Sequence, residues 1–260
     1  MIFESHAHYD DEKFDEDRDQ LLTSMKDHGI GTIINVGASM KGCEKSLKLA
    51  ETYEFVYAAL GIHPSDISDL DQEGTGWIEA HLSHPKVAAV GEIGLDYYWG
   101  KEPEVHNRQK YWFCRQLDIA KQAALPVIIH SREAAADTMD ILSQSCYQDL
   151  KGVVHCYSYS REMAAQYVKM GYYIGVGGVV TFKASRKLKE TVEDIPLEKI
   201  LLETDSPYLA PEPYRGKRNS SLYLSYVVEE IARIKGVSEE DVIRVTNENA
   251  RALFFKVKEK

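Results

Sequence analysis

The chain has 260 residues, 44% apolar and 28% charged, with a formal net charge of −10. This is the composition of an ordinary globular protein, and it argues against nucleic-acid binding through a broad basic surface, which needs many phosphate contacts. It leaves room for a nuclease in which metals and a local cationic loop meet the phosphates.

Short continuous apolar runs recur along the chain, as in parallel strands buried on both faces. The first, Met1–Phe3, leads into ESHAH (4–8). If it is a strand, alternation puts His6 and His8 on one side, about 7 Å apart. Two imidazoles so placed either bind one metal or decorate a turn. A helix is expected over Asp17–His28, with Leu21, Leu22 and Met25 on one stripe and Gly29 as its stop. The second run, Thr32–Val36, ends in small residues at Gly37. The third, Phe55–Leu60, ends in GIHP (61–64), and the fourth, Val87–Val90, in GEIGLD (91–96).

A long helix is expected over Glu104–Ala124, carrying Trp112, Phe113, Gln116, Leu117 and Ala120. Leu125–Pro126 ends it, because the residue before proline is pushed out of the α region. The fifth run, Val127–Ile129, is followed by His130-Ser131-Arg132; the sixth, Val153–Val154, by His155-Cys156. After a helix over Arg161–Met170, the seventh run, Tyr172–Val176, ends among Gly175, Gly177 and Gly178. The eighth, Ile200–Leu202, ends in Glu203-Thr204-Asp205. A helix over Leu222–Ile234 and two more near 239–245 and 247–258 close the chain.

Eight strands alternating with helices point to an α/β fold of the (β/α)8 TIM-barrel type, one domain over residues 1–260. A doubly wound sheet would normally carry a glycine-rich turn after its first strand; ESHAHYD has no glycine. No apolar run approaches about 18 residues, so no membrane span is expected. The acidic, strand-like start is not that of a signal peptide, so a cytoplasmic protein is expected. Cys43, Cys114, Cys146 and Cys156 form no C-x-x-C and are expected to be reduced thiols.

Active sites of such barrels sit at the C-terminal strand ends. Those ends carry His6, His8, His63, His130 and His155 with Glu92 and Asp205, whereas His28, His81, His84 and His106 fall on helices or outer loops and read as solvated. His6, His8, His130, His155, Glu92 and Asp205 supply donors enough for two divalent cations, with Glu92 as the bridge that holds them roughly 3.5–4 Å apart. Mixed imidazole and carboxylate donors suit zinc, manganese or iron better than magnesium.

GEIGLDYY (91–98), HSR (130–132), HCYS (155–158), ETDSPYLAP (203–211) and RGKRN (215–219) resemble the TatD family of metal-dependent deoxyribonucleases. GIHP (61–64) and NENARALF (247–254) fit as well. The resemblance runs from residue 4 to 254. It implies an amidohydrolase-type barrel in which one metal takes His6, His8, Glu92 and Asp205 and the other takes Glu92, His130 and His155. The chain departs from the family pattern at Glu4, where Asp is usual, at Tyr159, where Gly is usual, and at Ser220-Ser221, where Glu-Pro is frequent.

The activity expected is hydrolysis of DNA, single-stranded and from an end, with Asp205 and Glu92 as the catalytic carboxylates and a water activated by the metals. His63 either touches phosphate, relays a proton or makes a structural hydrogen bond. Arg132, Arg215, Lys217 and Arg218 are the candidates for contact with the substrate backbone. Tyr97, Tyr98, Trp99, Tyr157 and Tyr208 either stack bases or pack their loops. The alternative is an amidohydrolase acting on an ester, lactone or amide, nucleic-acid-linked acyl esters included. Glu92 stands where a common variant of that class has a modified lysine, which favours the nuclease.

Overall fold

The computed structural model describes residues 1–255. Eight parallel strands lie in the order of the chain: β1 (Ile2–Ala7), β2 (Ile30–Val36), β3 (Val56–Leu60), β4 (Val87–Asp96), β5 (Val127–Arg132), β6 (Gly152–Val154), β7 (Tyr173–Val176) and β8 (Ile200–Leu202). They form a nearly closed TIM barrel. The gap between β8 and β1 is bridged just beyond β8, where Ala7 pairs with Ser206, Asp205 N donates to His6 O, and His8 N donates to Ser206 O.

Helices α1 (Arg18–Ser24), α2 (Met40–Thr52), α3 (Gln72–His81), α4 (Pro103–Ala123), α5 (Ala135–Leu142), α6 (Arg161–Lys169), α7 (Arg186–Asp194), α8 (Leu224–Lys235) and α9 (Glu239–Phe254) follow the strands. The helix expected over Asp17–His28 is α1 and then a 3₁₀ turn at Lys26–His28, with Gly29 left-handed at φ 81°. Two helices were expected near 239–245 and 247–258; one helix, α9, runs through both as far as Phe254. No glycine or proline interrupts it and Ser238 caps its start. Residues 256–258 of that expectation lie outside the described residues.

Three strands run further than their apolar runs. β1 continues to Ala7, β4 to Asp96 and β5 to Arg132, because the β4–β5 ladder extends through Gly94–His130, Leu95–Ser131 and Asp96–Arg132. His6, Glu92 and His130 therefore stand on strands, although the register shifts between Glu4 and Ala7 and between Val90 and Ile93, and the Gly91–Glu92 peptide is cis.

The barrel interior is filled by Phe3, Ile34, Val36, Ala59, Ala89, Ile128, Val153 and Leu201. Its N-terminal end is plugged by α9, whose Phe254 stacks on Phe3 at 5.9 Å between centroids. Burying two such rings contributes a few kcal/mol, of the order of 1.5–3 for each. The other end is left to polar residues. No helix among the described residues is long and apolar enough to cross a membrane. The four cysteines are free.

Candidate metal centre

Glu92 occupies the middle of the open end, buried, and its two carboxylate oxygens face different partners. Oε1 lies 2.8 Å from His130 Nδ1 and 3.0 Å from His155 Nε2. Oε2 lies 3.4 Å from His6 Nε2 and 3.7 Å from His8 Nε2. Asp205 closes the second group: its Oδ1 is 3.4 Å from His8 Nε2 and 3.7 Å from His6 Nε2. Donors from β1, β4, β5 and the ends of β6 and β8 thus gather around one carboxylate.

The donor set fits a metal. His8 Nδ1 donates to the Val36 carbonyl at 2.7 Å, which leaves the lone pair of the neutral ring on Nε2. That nitrogen faces His6 Nε2 at 3.1 Å. Two ring nitrogens so close need a proton or a cation to share. The field of the site favours positive charge. Burial disfavours a charged His8, yet Asp205 and Glu92 push its pKa up to about 9. Burial likewise works against an ionised Glu92, but His155, His6 and His130 hold its carboxyl well below the usual range. Among the described residues, three groups of side chains have donor atoms close enough to share an ion: His6, His8 and Asp205; His63, Glu92 and His130; and His6, His155 and Glu203.

Several residues that hold this arrangement, Asp96 and Glu203 within the motifs and Gln109 and Gln116 outside them, are given no role by the sequence alone. Asp96 Oδ2 accepts from His130 Nε2 at 3.0 Å, fixing which nitrogen of that ring faces Glu92. Asp96 is itself clamped by Gln109, whose amide accepts from Asp96 N and donates to Asp96 O, both at 2.9 Å. Gln116, two turns further along α4, clamps Ile62 in the same way at 2.8 and 3.1 Å and so positions the GIHP turn. The visible signal was two glutamines on the buried side of α4.

Glu203 is buried behind His155. Its Oε1 accepts from Cys156 N and stands 3.6 Å from His155 Nδ1. A Cβ at Gly175 would come within 2.4 Å of Glu203 Oε2, which explains why β7 carries glycine there. Asp205 and Cys156 both adopt left-handed backbone, at φ 58° and 46°, the strain typical of functional turns.

His63 lies beside the cluster, its Nε2 3.8 Å from Glu92 Oε1. Its Nδ1 accepts from Ser65 N at 3.1 Å, so the neutral ring carries its proton on Nε2, facing the site. Burial lowers its pKa to about 4 and keeps it neutral.

The cationic candidates separate. Arg218 forms a forked pair with Asp17, 2.8 and 2.5 Å, which commits its guanidinium. Arg215 lies over the Phe182 ring, and Arg132 over Tyr98. Lys217 is exposed. Of the aromatic residues, Tyr97 and Tyr157 are tied down: the Tyr97 hydroxyl donates to Asp137 and that of Tyr157 to the Ser160 carbonyl. Tyr159 likewise packs down, its hydroxyl 3.0 Å from Ser131 Oγ, so its bulk does not stand in the mouth. His106, expected to be solvated, instead hydrogen-bonds the Gly100 carbonyl and stacks on Tyr97 at 3.6 Å.

The model of the TatD related DNase family matches residues 3–255. The chain is 41% identical over 254 residues to an uncharacterized metal-dependent hydrolase of Bacillus subtilis, YabD, covering 98% of this chain and 99% of that protein. It is 30% identical over 250 residues to the 3'-5' ssDNA/RNA exonuclease TatD of Cronobacter sakazakii, covering 94% of each. The crystal structure of YjjV, a TatD homolog from Escherichia coli, superposes with a TM-score of 0.91 at 31% identity, over 97% of both chains. A barrel mouth lined by imidazoles and carboxylates, in a chain matched over nearly its whole length, is that of a metal-dependent hydrolase, and the chain belongs to the TatD family.

Proposed function

We propose that the protein is an exonuclease that hydrolyses phosphodiester bonds of single-stranded DNA, using two divalent cations. The observation that carries this reading is the division of Glu92 between two donor groups. His6, His8, Glu92 and Asp205 would hold one cation and Glu92, His130 and His155 the other, zinc or manganese suiting the imidazoles better than magnesium. A cation pair so held supplies an activated water and neutralises charge on the phosphate. The exonuclease name of the Cronobacter relative supports the substrate class.

The residues then divide the remaining work. Asp205, 19% exposed at the mouth, accepts the proton of the attacking water. The water oxygen forms a bond to phosphorus, the bond to the leaving ester oxygen breaks, and that oxygen takes up the proton held by Asp205, so that one water is consumed per bond. Glu92 keeps the two donor groups in register. His63 Nε2–H faces the site and donates to a non-bridging phosphate oxygen. Arg132, Arg215 and Lys217 meet backbone phosphates, whereas Arg218 holds its loop through Asp17.

The test is cleavage of single-stranded DNA by metal-stripped protein to which zinc, manganese or magnesium is restored singly, with Asp205→Asn as control. Metal-dependent cleavage lost in that variant is expected. Protein that binds two cations yet cleaves no oligonucleotide would overturn the nuclease and favour ester or amide hydrolysis.

A further inference from the structure

The loop after β4 presents two aromatic side chains to solvent. Trp99 is 72% exposed and Tyr98 39%, and their rings meet edge to face at 4.7 Å. Adjacent exposed rings, unlike a single one, form a contiguous apolar surface of the kind that marks an interaction site. Their neighbour Tyr97 is half-buried and stacks on His106, so full exposure belongs to these two residues and not to the whole loop.

The rings are held rather than loose. The backbone N–H groups of Tyr98 and Trp99 both reach Asp96 Oδ1, at 2.9 and 3.4 Å. The other oxygen of that carboxylate accepts from His130 Nε2. One buried side chain therefore sets both the aromatic pair and a donor of the metal centre. Across the gap stands Arg132, at the end of β5. Its guanidinium lies 3.8 Å from the Tyr98 centroid and 5.8 Å from that of Trp99. Arg218 and Arg161 are paired with carboxylates. Arg132 stands in no ion pair among the described residues, and its charge faces solvent beside the mouth. The remaining exposed aromatic of the mouth, Tyr208, is already engaged by Asp11 through its hydroxyl and by Lys13 over its ring.

We infer that Trp99, Tyr98 and Arg132 form a nucleobase subsite: Trp99 stacks the base of the nucleotide beside the scissile bond, and Arg132 meets that nucleotide's phosphate. The occupant is an unpaired base with its phosphate, because an open π-face next to an uncompensated guanidinium complements a flat heterocycle carrying an anion. The inference rests on the nuclease reading and adds the place where the strand is gripped.

The experiment crosses a protein change with a substrate change. Steady-state kinetics of the metal-loaded enzyme are measured on a single-stranded oligonucleotide and on the same strand with one abasic residue placed in turn along it. Trp99→Ala is expected to raise KM about tenfold with little change in kcat. The abasic residue at one position should do the same to the wild type and add almost nothing to Trp99→Ala. Trp99→Phe should retain most of the affinity. Tyr111→Ala, which removes an exposed ring from the outer face of α4, serves as control. In stopped-flow mixing, Trp99 fluorescence should be quenched by the strand within the first turnover, a signal absent from Trp99→Phe. Arg132→Gln should reduce the slope of log KM against log salt by about one phosphate contact. Efficient cleavage with KM unaffected by Trp99→Ala, or with the abasic and alanine effects multiplying independently, would overturn the subsite and leave the nuclease standing. Wild-type enzyme that neither binds nor cleaves any strand would overturn both.

Discussion

Ser221 Oγ donates to Glu4 Oε2 at 2.9 Å, and in that bond two of the positions at which the chain departs from its family's pattern meet. The other oxygen of Glu4 accepts from His6 N at 3.1 Å and Thr204 N at 2.9 Å. Glu4 thus ties the strand that carries His6 and His8 to the turn that carries Asp205. Burial pushes its carboxyl up to about 8, against the pull of these donors. Ser221→Ala leaves a buried carboxyl oxygen without its donor and should cost about 1–3 kcal/mol. Glu4→Asp shortens the reach to the same bond, so the double variant should lose less than the sum of the two single losses. Urea unfolding of the four proteins measures this; strict additivity would mean the bond contributes nothing.

Asp96 fixes the ring of His130 from behind the metal centre. Asp96→Asn keeps the shape and weakens that hold. Affinity for divalent cations should fall about 10- to 100-fold, the usual effect of removing such a partner. Competition against a chromogenic chelator reads this without any assay of activity. Unchanged affinity would leave Asp96 a loop anchor only.

Metal binding should also stabilise the fold, since the six side chains proposed as donors converge only in the native chain. With cation at about 100 times its dissociation constant the gain is about 2.7 kcal/mol for one site. The thermal midpoint should therefore rise with cation concentration, and should rise less in His130→Ala. A midpoint indifferent to zinc and manganese would count against a resident metal.

Gln116 clamps both the N–H and the carbonyl of Ile62 from inside the apolar stripe of α4. Gln116→Leu removes both partners while keeping the volume near its original value. About 1–3 kcal/mol of stability should be lost for the orphaned backbone groups, and His63, one residue on, should lose its placement. Denaturant unfolding gives the first, and an increase in KM with the metals still bound gives the second.

Glu230, 16% exposed, joins α8 to α7 through Lys189 at 2.9 Å and also pairs with Arg233. Arg233 first, and then Lys189, hold its carboxyl down at about 2, below the ordinary value of 4.5. A depressed carboxyl stabilises the fold fully above its unfolded pKa, and that contribution is lost as pH falls through the folded value. Glu230→Gln should therefore cost a constant increment, under about 1 kcal/mol for a partly screened pair, at neutral pH. The difference from wild type should shrink between about pH 4.5 and 2. A gap that widens on acidification would contradict the assignment.

The barrel and the polar residues at its mouth are legible in the residue pattern alone. Continuous apolar runs can only be satisfied by strands covered on both faces, and their regular alternation with helices leaves little choice of topology. Histidines and carboxylates immediately after such runs then share one end of the barrel. The pairings that hold those residues emerge only when the chain is folded. Ser221 reaches Glu4 across 217 positions and Arg218 reaches Asp17 across 201, separations at which periodicity carries no information. Tyr97, Tyr98 and Trp99 are adjacent and chemically alike, yet the first is half-buried and tied down while the other two face solvent, because Asp137 and His106 arrive from other helices to engage it. A side chain's own pattern reveals which face it prefers; which distant group satisfies its polar atoms is set by the packing of elements that the pattern does not relate.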